Sequence, residues 1–354
     1  MKLVHSFSEI FQYKKYNKIA CDIYGVLHDG YLAYPYTVET LEKLQQINQQ
    51  VVLLSNSSRM YPALSKQLET KFNISNFVYN DILSSGKLTR LFLQDCDTYL
   101  TKKNKNMDIS CHATLRDSQQ PSMTAIEFCQ HYLINKSKNN KIYRFFIAGD
   151  LDYLTPLFQD LTSFQPTDHW EDDEMDFVLL GSIQPLDKNN TATIIDTYNE
   201  ESIQQHYTPF LKSCLKRNIP LVCVNPDVLA PHGTYDDGSQ RLLICPGYIG
   251  AMYEAIGGKV LYFGKPFKSI YDYLLLQDQK KQDQSILCVG DNINTDVLGA
   301  TEANLDVVLI LGGVHASSLL SLIDDEQQLV DQVRKLCQLE KIQEPTYLMP
   351  YLKY

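Results

Sequence analysis

A chain of 354 residues is long enough for two domains of ordinary size, and its 44% apolar fraction is that of a globular protein. The formal net charge of −10 argues against non-specific nucleic-acid binding, and no apolar stretch reaches membrane-spanning length. Nine scattered cysteines without a Cys-x-x-Cys spacing favour free thiols in a reducing compartment over a disulfide frame or a zinc site. The start, Met1-Lys2-Leu3-Val4-His5, runs into a polar, Lys-rich stretch and does not read as a signal peptide, so a cytoplasmic protein is expected.

Ile19–Ile23 reads as a buried strand, broken at Asp22 and the turn that contains Gly25. An Asp29-Gly30 pair suggests a small hairpin next. Thr37–Asn48 has helical spacing, with Thr37 or Thr40 as its N-cap. Val51–Leu54 is a second buried strand, ending in Ser55-Asn56-Ser57-Ser58-Arg59. Tyr61–Phe72 reads as a helix and Phe77–Tyr79 as a strand. This βαβ alternation implies a parallel sheet, hence an α/β fold.

A different region follows, roughly residues 85–240, which reads as a second α/β domain inserted into the first. It opens with the basic piece Lys102–Asn106. It carries strands at Lys141–Ala148, Asp176–Leu180 and Pro220–Val224, and helices at Ala125–Leu133 and Ala192–Arg217. The acidic run Glu171-Asp172-Asp173-Glu174 reads as a solvated loop. The last third resumes the first pattern. Helices are expected at Ile249–Ile256, Ser269–Leu276 and Asp296–Ala303, and strands at Val260–Phe263, Ser285–Val289 and Asp306–Leu311. Asp324–Tyr354 reads as a helix with a Pro- and Tyr-bearing tail. Residues 1–84 and 241–354 would form one domain and 85–240 the other.

In an open parallel sheet, ligands bind beyond the carboxyl ends of the strands. Two strand ends carry acids: Asp22 at the first, and Asp291 with Asp296 in Gly290-Asp291-Asn292-Ile293-Asn294-Thr295-Asp296. Brought into one crevice, these carboxylates would repel one another unless a hard cation such as Mg²⁺ neutralised them. Asp22 is the candidate nucleophile, because a desolvated, oriented carboxylate can attack phosphorus or carbon. Ser55 can bind a phosphoryl oxygen and Asn56 can orient it; alone, both also read as caps of the next helix. Lys265, in Gly264-Lys265-Pro266, can neutralise the attacking carboxylate and the transferring group, though alone it also reads as a surface lysine.

In this order and spacing, Asp22, Ser55, Lys265, and Asp291 with Asp296 resemble the four motifs of the haloacid dehalogenase superfamily of hydrolases. The large insertion is similar to the class II cap of the subgroup that includes NagD-type and 4-nitrophenylphosphatase-type enzymes. Ser84-Ser85-Gly86, Val224-Asn225-Pro226-Asp227 and Cys245-Pro246-Gly247 resemble further stretches of that subgroup. The resemblance implies a Rossmann-like parallel-sheet core with an inserted α/β cap, and a phosphatase acting on a small phosphorylated metabolite. It implies an aspartyl-phosphate on Asp22, stabilised by Ser55 and Lys265, with Asn56, Asn225 and Asp227 toward the substrate. Mg²⁺ would be held by Asp22, Asp291 and the main-chain carbonyl of Tyr24, with Asp296 in support. Caps of this class often mediate homodimers.

One position departs from the pattern. Phosphatases of this superfamily carry a second Asp two residues after the nucleophile, where it serves as general acid and base; here that residue is Tyr24. A phenol is a poor replacement at neutral pH, and a positioned acid or base is worth about 10²- to 10⁴-fold. The consequence would be a slow phosphatase restricted to good leaving groups, or one in which His28, Asp29 or Asp227 supplies the proton. A non-catalytic or regulatory protein that binds a phosphorylated ligand or a protein partner is the alternative. A carbon–halogen hydrolase is the third reading, because Asp-x-Tyr-Gly also resembles the dehalogenases themselves.

Overall fold

The structure is a computed structural model that describes residues 1–102, 110–115, 122–134, 142–187, 193–276 and 285–354. Most of the basic piece expected at Lys102–Asn106, and the first residues of the expected Lys141 strand and Ala192 helix, lie outside these.

Among the described residues, two seven-stranded sheets organise the chain. The first is wholly parallel, in the spatial order Lys2–Leu3, Tyr347–Met349, Asp306–Ile310, Ile286–Gly290, Lys18–Asp22, Gln50–Ser55, Asp81–Ser84. Both of its faces are covered. In Lys18–Asp22, Ile19 and Cys21 join one apolar cluster while Ala20 joins the other; Val51 and Leu53 alternate with Val52 and Leu54 in the same way. Burial on both faces is why these strands are near-continuous apolar runs. The chain departs from Lys18–Asp22 toward Gln50–Ser55 on one side and returns as Ile286–Gly290 on the other. That reversal is the switch point at which such sheets open a crevice.

The second sheet runs Ser122–Met123, Ala113–Thr114, Val260–Tyr262, Leu221–Cys223, Met175–Leu180, Tyr143–Ala148, Phe164–Thr167, with only Ala113–Thr114 antiparallel to the rest. A separate hairpin pairs Leu229–Thr234 with Gln240–Ile244. The fold is thus a Rossmann-like core with an inserted α/β cap.

Several expectations are corrected here. Val260–Tyr262 pairs with Leu221–Cys223 in the second sheet rather than rejoining the first, and Ile249 and Tyr253 of the helix Pro246–Ala255 pack with Tyr207 and Phe210. Pairing and packing therefore carry the second unit well past residue 240, and Ile286–Gly290 is the first strand to return. Residues 77–79 are not a strand: Asn76–Val78 is a 3-10 turn capped by Ser75, and Phe77 is 80% exposed. Buried Ile82 and Leu83 form the strand instead, Asp81–Ser84. The expected Ala192 helix begins at Glu200, where Asn199 Oδ1 accepts the Glu201 and Ser202 amides. Thr37 and Thr40 do not cap their helix; their hydroxyls donate to the carbonyls of Leu27 (2.8 Å) and Leu352 (3.1 Å). The C-terminal tail supplies an internal strand of the first sheet, Tyr347–Met349. The nine cysteines are free, and among the described residues no helix is long and apolar enough to cross a membrane.

The helix Ser85–Lys102 joins the two sheets. Its Leu88, Phe92, Leu93 and Cys96 enter a cluster that holds Leu54 of the first sheet and Phe177 and Leu261 of the second. Phe92 sits edge-on to Phe128 at 5.5 Å and to Phe263 at 5.1 Å, fully buried. Phe92→Ala is expected to cost about 3–5 kcal/mol, the range for emptying a buried aromatic site, read as a shifted denaturant midpoint. A loss under about 1 kcal/mol would mean that the two sheets are not stabilised through this helix.

Candidate active site

Asp22 ends its strand with its carboxylate buried, Oδ1 accepting the Ile23 amide at 2.7 Å. In the strand register Asp22 faces Leu54, so Ser55 closes the neighbouring strand beside it. On the other side, Ile286–Gly290 delivers Asp291, whose Oδ2 accepts the Val314 amide at 2.7 Å. Asp296 follows on a π-helical turn, Ile293–Val297, and its Oδ2 accepts the Asn292 amide at 3.2 Å. Asp22, Asp291 and Asp296 each bring an oxygen within 4.8 Å of the others.

The close approach depends on absent side chains. Gly25 has φ +79°, and a Cβ there would stand 1.9 Å from Asp291 Oδ2. Only glycine lets the turn after Asp22 close over Asp291. A Cβ at Gly290 would stand 2.0 Å from Asp296 Cγ, so this glycine makes room for the carboxylate as well as turning the chain.

Lys265 is the counter-charge. Its Nζ lies 2.6 Å from Asp22 Oδ1 and 2.7 Å from Asp296 Oδ1, buried. Burial alone would pull the ammonium down; the Asp22, Asp296 and Asp227 carboxylates outweigh it and hold Lys265 above its ordinary value. One ammonium does not satisfy three acids. Burial, with Asp296 and Asp291 nearby, raises Asp22 well above the usual carboxylate range despite Lys265. Burial and then Asp296 push Asp291 up to about 8.

Asn56, expected to face the substrate, is spent inside the protein. Its Nδ2 donates to Asp227 Oδ1 and to the Lys265 carbonyl, both at 2.8 Å, and its Oδ1 accepts the Lys265 amide at 2.7 Å. Both amide hydrogens are used, so Asn56 positions Lys265 and Asp227 rather than offering a donor to a ligand. Asn225 shapes the same loop, its Oδ1 accepting the Asp227 amide at 3.0 Å. Burial above all raises Asp227 to about 6.

These groups meet in a cavity of about 400 Å³, lined by Asp22, Tyr24, Ser55, Asn225, Asp227 and Asp291 among others. His28 and Asp29 are not part of its wall. The His28 ring stacks on Phe72 at 3.8 Å, its Nδ1 accepts the Gly30 amide, and burial first, then the Lys71 and Arg59 charges, lower it to about 3. Asp29 Oδ1 accepts the Tyr31 and Leu32 amides and holds the expected hairpin turn. Sequence reasoning passed over Arg59, Lys71 and Tyr153, which also line the cavity.

Two family models match. Residues 19–120 match the haloacid dehalogenase-like hydrolases, and residues 262–336 match a second HAD-hydrolase-like model. The chain belongs to the haloacid dehalogenase superfamily. Within this superfamily, a hydrolase of the haloacid dehalogenase-like family from Brucella suis 1330 is 20% identical, with a TM-score of 0.63 over 99% of this chain and 100% of that one. A structure described as a "possible sugar phosphatase, HAD superfamily" from Cytophaga hutchinsonii has the same identity (20%) and TM-score (0.63), covering 99% and 98%. Ribonucleotide monophosphatase NagD of Escherichia coli K12 is 32% identical over 72 residues, 20% of this chain and 28% of that protein's length. The cap and the NagD relative are those of class IIA.

Acids raised in the fold bind more protons folded than unfolded, so folding stability should fall as pH rises from the ordinary Asp value, about 4, through the folded values. With Asp227 near 6 and Asp291 near 8, the loss should span about pH 4 to 8 in chelator-treated protein. Asp291→Asn should flatten the upper part of that curve in thermal melts. An unchanged slope would mean that Asp291 bears no uncompensated charge.

Proposed function

We propose that the chain is a Mg²⁺-dependent phosphatase for a small phosphorylated metabolite, with Asp22 as nucleophile. The observation that carries this reading is the cluster of Asp22, Asp291 and Asp296 around Lys265, at the sheet's switch point and opening to the cavity. Three carboxylates form an all-oxygen donor set with too little positive charge of their own, which fits a hard divalent cation. Asp22, Asp291 and the Tyr24 carbonyl would hold it, with Asp296 in support. When bound, it would draw charge from the phosphoryl oxygens.

Asp22 attacks phosphorus: an oxygen–phosphorus bond forms to the carboxylate as the bond to the leaving oxygen breaks. Lys265 offsets charge on Asp22 and on the transferring group, and the Ser55 hydroxyl holds a phosphoryl oxygen. The leaving oxygen then needs a proton. Tyr24 occupies the position where an acid would stand, and Asp227, raised to about 6 in the same cavity, supplies it. The free thiols accord with action in the reducing cytoplasm.

Hydrolysis of 4-nitrophenyl phosphate should require Mg²⁺ and vanish in Asp22→Asn and in EDTA. The tyrosine at position 24 also favours a second reading, a non-catalytic or regulatory protein that binds a phosphorylated ligand. Folded protein without turnover, whose phosphate affinity survives Asp22→Asn, would select that reading.

Asp227→Asn should reduce hydrolysis of glycerol 3-phosphate by about 10²-fold and of 4-nitrophenyl phosphate far less, because nitrophenolate leaves without a proton. Equal losses on both substrates would remove Asp227 as the acid.

A further inference from the structure

Two cationic side chains line the cavity besides the buried machinery, Arg59 and Lys71. Neither has an ion-pair partner among the described residues. Lys71 spends one donor on the Gly30 carbonyl at 2.6 Å. Arg59 is different. Its backbone is fixed, the amide donating to Ser57 Oγ at 3.3 Å and the carbonyl accepting from Ser84 Oγ at 2.8 Å. Its guanidinium lies 3.8 Å over the ring of Tyr153 and makes no hydrogen bond among the described residues. The ring holds the plane while the fork of N–H donors stays free. A planar guanidinium so held is suited to a carboxylate, which it binds with two parallel hydrogen bonds.

The position along the chain matters as well. Arg59 stands four residues beyond Ser55, on the loop that leaves the strand beside Asp22. The phosphoryl group belongs at the strand ends, so the Arg59 fork meets another part of the same ligand. Burial first, and then the Lys71 and Arg59 charges, lower His28, so both cations stand close to its ring.

We infer that Arg59, backed by Tyr153, receives a carboxylate on the substrate, so that the preferred substrates are small phosphomonoesters that carry a carboxylate. This rests on the phosphatase reading and narrows it. A site built to bind a charged group discriminates against the analogue that lacks it.

The test pairs 3-phosphoglycerate with glycerol 3-phosphate, which differ by a carboxylate in place of a hydroxymethyl group. The readout is the ratio of their kcat/KM values in one preparation, which does not depend on how much of the protein is folded. In the wild type the ratio should favour the carboxylate by about tenfold, or about 1.4 kcal/mol. In Arg59→Gln it should fall toward unity, and Arg59→Lys should recover part of it. A wild-type ratio near unity would overturn the inference. So would an unchanged ratio in Arg59→Gln, which would leave Arg59 as a clasp to Tyr153 only. If the wild type hydrolyses neither compound nor 4-nitrophenyl phosphate, the phosphatase reading fails. The same ratio, taken from dissociation constants of the two compounds by titration calorimetry, then decides the inference by the same criteria.

Discussion

A buried ammonium shared by two carboxylates is the contact on which the rest of the site depends. Lys265 Nζ reaches Asp22 and Asp296 at 2.6 and 2.7 Å, and the three groups come from three separate parts of the chain. Asp22 ends a first-sheet strand, Asp296 lies on the turn after another, and Lys265 sits on the segment that leaves the second sheet at Val260–Tyr262. Removing one partner would leave a buried charge uncompensated, a cost far larger than that of breaking a surface ion pair. The ion triad therefore ties the position of the second sheet to the chemistry at the edge of the first.

Asn56 makes that tie specific. Its amide holds Lys265 by backbone N–H and carbonyl together, and its remaining N–H holds Asp227. The lysine that offsets charge on Asp22 and the acid assigned to the leaving oxygen are thus set by one side chain. That side chain belongs to the loop after Gln50–Ser55, in the first sheet, while Asp227 belongs to the second unit. The packing of one unit on the other and the placement of Asp227 relative to Lys265 therefore depend on the same side chain.

Much of the arrangement was legible in the residues, for physical reasons. Strands buried on both faces leave apolar runs, and acids at their ends stand out because burial elsewhere excludes them. Asp22, Asp291 and Asp296 were found that way and do meet. Partnership was harder to read. Val260–Tyr262 is as apolar as any strand of the first sheet, yet pairs in the second, since an apolar run reports burial and not its neighbour. Phe77 misled by the same route, being apolar and exposed. Asn56 was singled out as a polar residue at a strand end, but whether its amide faces ligand or protein depends on Lys265 and Asp227, 209 and 171 residues away. Arg59 carried no signal alone, because its meaning lies in what it lacks among the described residues, a carboxylate partner, and in the distant Tyr153 that holds it.

Charge divides the cavity into two unlike regions. Around Asp22 the acids outnumber the one ammonium; burial first, and then the neighbouring acids, raise Asp22 and Asp291. Beyond Ser55 the balance reverses, with Arg59 and Lys71 lining the cavity and no acid among the described residues paired to either. A ligand neutral at one end would satisfy only the first region, and a cation placed among the acids does nothing for the second. A phosphomonoester that also bears a carboxylate, together with a divalent cation at the acids, would place opposite charge in both regions. Tyr24 belongs to the same account. With no carboxylate two residues after Asp22, one negative charge fewer crowds the acidic region, and Asp227, the acid of the proposed mechanism, comes from the other unit, where Asn56 holds it. In the proposed mechanism the proton donor is set by how the two units pack rather than by the loop that follows Asp22.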